Sequence, residues 1–287
     1  MPTAVVETIA ELRSILSTDR TTGRRIALVP TMGALHDGHL ALIERARQLA
    51  DTVVVSIFLN PLQFGPTEDL DLYPRTLAAD REKLDRLGVA LIFAPSVAEM
   101  YPSGASETRV TAGAVGSLYE GRSRAGHFDG VLTVVSKLLN IAQPEFVIFG
   151  QKDAQQVFLV KRMVRDLNVP VQVEVVPIVR DADGLALSSR NRYLDARELR
   201  AARGLSIALE AAESSADRGI DAVLAAAQSV LMGESLVQLD YLSIVHPESF
   251  LPVDDDYHGK AVVLVAARVG TTRLIDNATI HLAGNRA

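Results

Sequence analysis

Short runs of consecutive apolar residues alternate with longer stretches of helical spacing along the first 180 residues. Val5, Ile9, Leu12 and Leu16 recur at helical spacing with charges between them, which predicts an amphipathic helix at the start of the chain. Five strand-length runs follow: IALVP (26–30), VVVSIFL (53–59), VALIFA (89–94), EFVIFG (145–150) and VQVEVV (171–176). Segments of helical pattern separate them, at Leu40 to Ala50, Thr76 to Leu87, Val131 to Ala142 and Asp153 to Leu167. Uninterrupted hydrophobicity in the runs, rather than alternation, predicts strands covered on both faces, as in a parallel sheet with helices on either side. The β-α-β-α order reads as an α/β, Rossmann-like doubly wound sheet. In such sheets ligands bind beyond the carboxyl ends of the strands, so the residues just after each run are the candidates for chemistry.

The texture changes after the turn signal Asp181-Ala182-Asp183-Gly184. Residues 196–232 are rich in Ala, Leu and Glu, with Gly219-Ile220 as a break, and predict two helices. The runs VQLDYLSIV (237–245), KAVVLVAARV (260–269) and TTRLIDNATI (271–280) predict antiparallel strands joined by turns. The expected organisation is a Rossmann-like domain over 1–180 and a smaller C-terminal α+β domain over 181–287.

Composition narrows the chemistry. At 287 residues, 48% hydrophobic and 22% charged, the chain is long enough for one or two cores and too apolar for disorder. It contains no cysteine, which excludes a disulfide framework, a thiolate zinc site, a cysteine-held iron–sulfur cluster and a thiol nucleophile. The net charge of −6 and pI near 5.6 count against a protein built to wrap nucleic acid. The first residues, MPTAVVETIAELRS, lack a basic region followed by an apolar core, and no apolar run approaches the ~20 residues of a bilayer span. A soluble, cytoplasmic protein without a membrane partner is expected.

Four strand ends carry the candidate groups. The first runs into Pro30-Thr31-Met32-Gly33-Ala34-Leu35-His36-Asp37-Gly38-His39 at the entrance to a helix. Unpaired N–H groups and the positive end of the dipole make that a place for a nucleoside triphosphate, within reach of both imidazoles. A helix cap with two surface histidines is the plainer alternative. H-x-x-H without an intervening glutamate is not a zinc-protease helix. The second run ends in Asn60-Pro61-Leu62-Gln63, whose amides can fix a small polar substrate or simply form a turn. Tyr73-Pro74-Arg75 follows an acidic stretch, and Asp80 then either faces solvent or takes a magnesium ion through water. The fourth run leads into Gly150-Gln151-Lys152-Asp153, where Lys152 suits phosphate, Asp153 a helix cap, and Gln156, one turn on, the same crevice. Arg124 and His127 lie in a glycine-rich loop that could fold over a ligand, though His127 is equally readable as a surface histidine. The last run leads through Val179 and Leu187 to Ser188-Ser189-Arg190, two hydroxyls and a guanidinium able to clamp a departing pyrophosphate.

Six motifs in this order and spacing, PTMGALHDGH, SIFLNPLQFG, DLYPRT, GHFDGVLTVV, FGQKDAQQ and LALSSRNRYL, resemble the pantoate–β-alanine ligase family. The resemblance runs from about residue 26 to 195 and continues more loosely in DYLSIV and LVAARVGTTRLIDN. It implies membership of the wider H-x-G-H nucleotidyltransferases, related to class I aminoacyl-tRNA synthetases, with the S-S-R loop similar to their mobile KMSKS loop. It implies that Met32 to His39 bind ATP, with His36 and His39 on its phosphates and His39 as general acid. Gln63 and Gln156 would hold pantoate, Gln63 also lying near β-alanine, with Pro30, Asn60, Tyr73 and His127 in the same substrate pocket. Gly150 to Asp153, Val179 and Leu187 to Arg190 would complete the ATP site. In the fourth-strand motif the family usually has G-E-K-D-[FY]-Q-Q, whereas this chain has Gln151 and Ala154.

The implied reaction joins pantoate to β-alanine through a pantoyl adenylate, with ATP and Mg²⁺, and needs no enzyme nucleophile. The implied assembly is a homodimer. Two other readings stay open at this point: an H-x-G-H nucleotidyltransferase with a different acceptor, and a catalytically silent nucleotide-binding regulator.

Overall fold

The computed structural model describes residues 3–65, 70, 73–104 and 106–283. Most of the acidic stretch before Tyr73, with Asp71 and Leu72 of the DLYPRT motif, lies outside the described residues. The chain divides into two compact units. The first comprises residues 1–150 and 159–176, the second 151–158 and 177–287. Segment 151–158 therefore groups with the second unit, whereas a single cut near residue 181 leaves it with the first.

The first unit holds a six-stranded sheet: β1 (Ala4–Val6), β2 (Ile26–Thr31), β3 (Thr52–Ile57), β4 (Leu91–Phe93), β5 (Phe146–Gly150) and β6 (Gln172–Val176). Every pairing is parallel and the order is β1-β4-β3-β2-β5-β6. The chain winds outward in one direction from β2 to β3 and β4, then resumes on the other side of β2 with β5 and β6. The topological switch therefore falls between β2 and β5. Their ladder is short, pairing Ala27 with Phe146 and Leu28 with Val147. Pro30, two residues on, has no N–H with which to prolong it.

Alternate strand positions supply one core face: Ala27 and Val29, Val53 and Val55, Ile92 and Ile148, packed with Ile43 and Ala46 of the helix Asp37–Leu49 and Leu84 of the helix Leu77–Arg86. The intervening Leu28, Val54, Phe93 and Val147 are buried as well. Burial on both faces accounts for the unbroken apolar runs in the sequence.

The first residues depart from expectation. Val5 belongs to β1, an edge strand on β4, and the helix starts only at Ile9. Thr8 caps it, its hydroxyl accepting the Glu11 N–H, and Leu12 and Leu16 form the buried face. A three-residue strand offers too few positions for periodicity to register, so Val5 reads as one more apolar step of the helix that follows.

The second unit has an antiparallel sheet in the order β7-β8-β9, formed by β7 (Val237–Val245), β8 (Gly259–Val269) and β9 (Thr272–Leu282). Three helices precede it, Ala196–Ala202, Gly204–Glu213 and Ile220–Gly233, where the sequence predicts two. The additional break falls at Arg203, inside the first predicted helix. Leu205, Leu209, Val223 and Leu231 of these helices share a core with Val263, Val265 and Leu274 of the sheet.

Candidate active site

The loop after β2 is held from a distance. Asp80, only 1% exposed, accepts the N–H of Ala34 at 2.9 Å and of Leu35 at 2.8 Å, and the Thr76 hydroxyl at 3.0 Å. Lys83, one turn further along the same helix, donates to the Leu35 carbonyl. This is not the solvent-facing Asp80 that the sequence left open. Its two oxygens are committed to the loop backbone, and burial there is tolerable because the carboxylate is fully hydrogen-bonded. The loop needs such a hold: Ala34 sits at φ 52°, a conformation that costs an L-residue roughly 1–2 kcal/mol. Gly33 precedes it at φ 85°, where a Cβ would lie 3.1 Å from Ile57 and 3.3 Å from Asp80.

The two histidines start the next helix as a reciprocal cap. His36 is the N-cap, and its Nδ1 accepts the Gly38 N–H at 3.2 Å. His39 Nδ1 reaches back to the His36 N–H at 3.3 Å. The ring centroids are 4.1 Å apart. Because both Nδ1 atoms accept from backbone N–H groups, each neutral ring carries its proton on Nε2. The cap reading thus holds for both rings, one nitrogen of each being used to hold the helix start. Asp37 is exposed, while Met32 and Gly38 are half-buried.

Beyond β3, Asn60 is fully buried and Gln63 is 9% exposed in a 3₁₀ turn, Pro61–Gln63. The first turn of the helix His127–Ala142 is pressed against them, since a Cβ on Gly130 would fall 2.0 Å from the Leu62 carbonyl oxygen. His127 Nδ1 donates to the Gln63 carbonyl at 2.8 Å, and Arg124 donates to the same oxygen at 3.3 Å and to His127 Nε2 at 3.1 Å. An acceptor on one ring nitrogen and a guanidinium on the other fix the Nδ1–H tautomer. His127 is therefore a backbone clamp on Gln63 rather than a free surface histidine. Tyr73 is buried, its ring edge-on to Phe64 at 6.1 Å, and Pro30 is half-buried near the end of β2.

In the second unit, Gln151, Lys152 and Asp153 form a 3₁₀ turn leading into the helix Ala154–Asp166, with Gln155 buried and Gln156 half-buried. Asn277 of β9, 3% exposed, donates through Nδ2 to the carbonyls of Gln151 at 2.9 Å and Lys152 at 3.0 Å, and its Oδ1 accepts from Gln151 Nε2 at 3.2 Å. Its neighbour Asp276 receives Arg180 bidentately, at 2.5 and 3.0 Å. Arg180 and Ala186 pair as a bridge, Leu187 N–H donates to the Val179 carbonyl at 2.9 Å, and the 3₁₀ turn Ser189–Tyr193 follows. Ser188 caps that turn, its hydroxyl accepting the Arg190 N–H at 3.2 Å. The neighbouring residues Asp276 and Asn277 thus tether both the Lys152 turn and the base of the Ser188–Arg190 segment.

Sequence reasoning missed these holders. Lys83, Asp276 and Asn277 carry no local motif, and the available hint was the loose agreement of LVAARVGTTRLIDN, which contains the last two.

A six-stranded parallel sheet with a switch at β2/β5, an H-x-G-H helix start at that switch and a separate antiparallel α+β unit define an α/β protein of Rossmann-like class. The family described as Pantoate-beta-alanine ligase matches residues 4–279, and the chain belongs to it. It is 60% identical to the pantothenate synthetase of Leifsonia xyli over 96% of this chain and 99% of that one. A crystal structure of pantothenate synthetase from Thermus thermophilus superposes with TM-score 0.89 at 49% identity, covering 96% of this chain and 98% of its own. One of pantoate-beta-alanine ligase from Francisella tularensis, complexed with beta-gamma ATP and beta-alanine, gives TM-score 0.79 at 34% identity over 96% and 97%.

Proposed function

We propose that the chain is an ATP-dependent ligase that condenses pantoate with β-alanine. A pantoate carboxylate oxygen attacks the α-phosphorus of ATP, the bond to the β-phosphate breaks, and pantoyl adenylate and diphosphate result. The β-alanine amine then attacks the acyl carbon, expelling AMP and leaving pantothenate and a proton. The observation that supports this reading is the reciprocal histidine cap after β2, which sets two imidazoles at a helix N-terminus, the kind of place that suits an anion.

In this reading Met32–His39, Gly150–Asp153, Val179 and Leu187–Arg190 bind ATP. Its developing phosphoryl charge is met by His36, His39, Lys152, Ser188, Ser189 and Arg190, with His39 as general acid. Gln63 and Gln156 hold pantoate, while Asn60, His127, Pro30 and Tyr73 shape the pocket around it. Mg²⁺ enters with ATP as part of the substrate and neutralises phosphate charge there. The domain of residues 181–287 closes over the mixed anhydride to keep water from it. The active form is a cytoplasmic homodimer.

Exchange of labelled diphosphate into ATP tests the route. Exchange that requires pantoate but not β-alanine is expected. Exchange independent of pantoate would overturn it and favour a nucleotidyltransferase with another acceptor.

A further inference from the structure

We propose that Tyr101 is a positioning residue of this reaction: its hydroxyl holds in place the Asn60 amide, whose orientation backbone partners set, and Asn60 in turn orients the Gln63 carboxamide so that Nε2 is the atom offered to substrate. The inference rests on the ligase reading above and assigns a residue from outside its motifs.

The orientation follows from which partners can only donate and which can only accept. Asn60 Oδ1 receives the Leu62 N–H at 3.3 Å and the Tyr101 hydroxyl at 2.8 Å. Asn60 Nδ2 donates to the Gly130 carbonyl at 3.1 Å and to Gln63 Oε1 at 3.0 Å. A backbone N–H cannot accept and a backbone carbonyl cannot donate, so the Asn60 amide has one orientation. That orientation turns Gln63 Oε1 toward Asn60. Gln63 Nε2 is left without a partner among the described residues, and a donor there calls for an acceptor on the ligand: a carboxylate or hydroxyl oxygen of an α-hydroxy acid.

Of the two donors onto Asn60 Oδ1, the tyrosine makes the shorter contact. Tyr101 is 6% exposed, 41 residues from Asn60, with the Phe58 ring 6.1 Å from its own and the Lys137 ammonium 5.5 Å from its centroid. Burial raises its pKa to about 12, so the hydroxyl keeps its proton throughout the working range of an enzyme. A buried tyrosine hydroxyl that merely finds an acceptor has the same geometry. The two roles separate in kinetics.

Tyr101→Phe removes one oxygen and keeps the ring contacts. In the full chain, steady-state kinetics with pantoate and with ATP varied in turn should show KM for pantoate raised about fivefold to tenfold, with kcat and KM for ATP within about twofold. Unchanged KM for pantoate, or equal rises in both KM values, would overturn the positioning role. Gln63→Glu and Gln63→Ala provide a second readout. Glutamate still offers Oε1 to Asn60 but turns an acceptor toward the substrate, so it should lose at least about tenfold more kcat/KM for pantoate than alanine does. Equal losses would overturn the orientation. A wild-type chain without pantoate-dependent diphosphate release would overturn the ligase reading and this inference together. An active wild type with an indifferent Tyr101→Phe removes this inference alone.

Discussion

Two aspartates in this molecule do the same local work in opposite settings. Asp80 receives the adjacent N–H groups of Ala34 and Leu35 at 2.9 and 2.8 Å, and Asp195 receives those of Arg197 and Glu198 at 2.7 and 2.8 Å. Asp195 is exposed and caps its own helix, with Glu198 closing the box onto its backbone N–H. Asp80 is buried and reaches a loop some 45 residues earlier in the chain. The first merely ends the disorder of a helix terminus. The second fixes a loop that contains a left-handed alanine and feeds the histidine cap, so an equal number of backbone hydrogen bonds stabilises a conformation that the loop would not hold by itself. The comparison separates local caps, which set where an element starts, from distant clamps, which set where a site lies.

The most severe test concerns the groups being placed rather than their holders. His39→Ala and Lys152→Ala should each lower kcat/KM by about 10²–10³, as expected for loss of a donor to developing phosphoryl charge. Lys152→Ala should leave thermal unfolding within about 2 °C of wild type, whereas His39→Ala also removes half of the cap and should cost about 1 kcal/mol in denaturant unfolding. A near-normal rate in either variant would take that residue out of the machinery and leave its anchors without a purpose.

Next in size is the clamp. Asp80→Asn keeps the shape but turns an NH₂ toward at least one N–H donor, and should lose roughly 2–4 kcal/mol by urea unfolding together with most of the activity. A loss of about the size seen at an exposed cap would erase the distinction between the two aspartates.

A smaller effect is expected at position 151, where the family usually has glutamate. Here both Asn277 Nδ2 hydrogens are spent on the Gln151 and Lys152 carbonyls, so Oδ1 faces the side chain of residue 151 and requires a donor. Gln151→Glu should therefore lower the ATP-dependent rate about fivefold, without restoring anything. A gain in rate would show that the amide pair is a defect rather than a match. Steady-state rates at saturating pantoate decide it.

What was legible in the sequence follows the same division. Strand ends and the H-x-G-H helix start are visible because they are local or periodic, and burial of both sheet faces writes itself as unbroken apolar runs, whereas the β2/β5 switch depends on pairings between distant strands. Asp80 stands out in the sequence as a polar residue one turn into a helix, but its partners do not. Nothing within four residues of it states that Ala34 and Leu35 arrive there. Tyr101, Asp276 and Asn277 are of the same kind: each acts across the fold, 41 to more than 120 residues from its partner, and single-sequence periodicity has no term for such pairs. Asp195, by contrast, stands three residues before a glutamate at the start of a helical pattern, the signature of a capping box.

Asp195 also yields the smallest effect and the one whose pH dependence can be signed. The N–H groups of Glu198 and Arg197 hold its carboxyl below the ordinary value of 3.8, because both bonds favour the charged form. A carboxyl depressed in the folded state contributes stability above its unfolded pKa and loses it as pH falls through the lower folded value. The melting temperature of Asp195→Ala should thus lie slightly below wild type at neutral pH, by less than the drop in Asp80→Asn, and the gap should narrow once the pH falls below about 3.8. A gap that stayed constant down to acid pH would mean that the carboxylate charge contributes nothing to the cap. The contrast with Asp80 would then rest on burial alone.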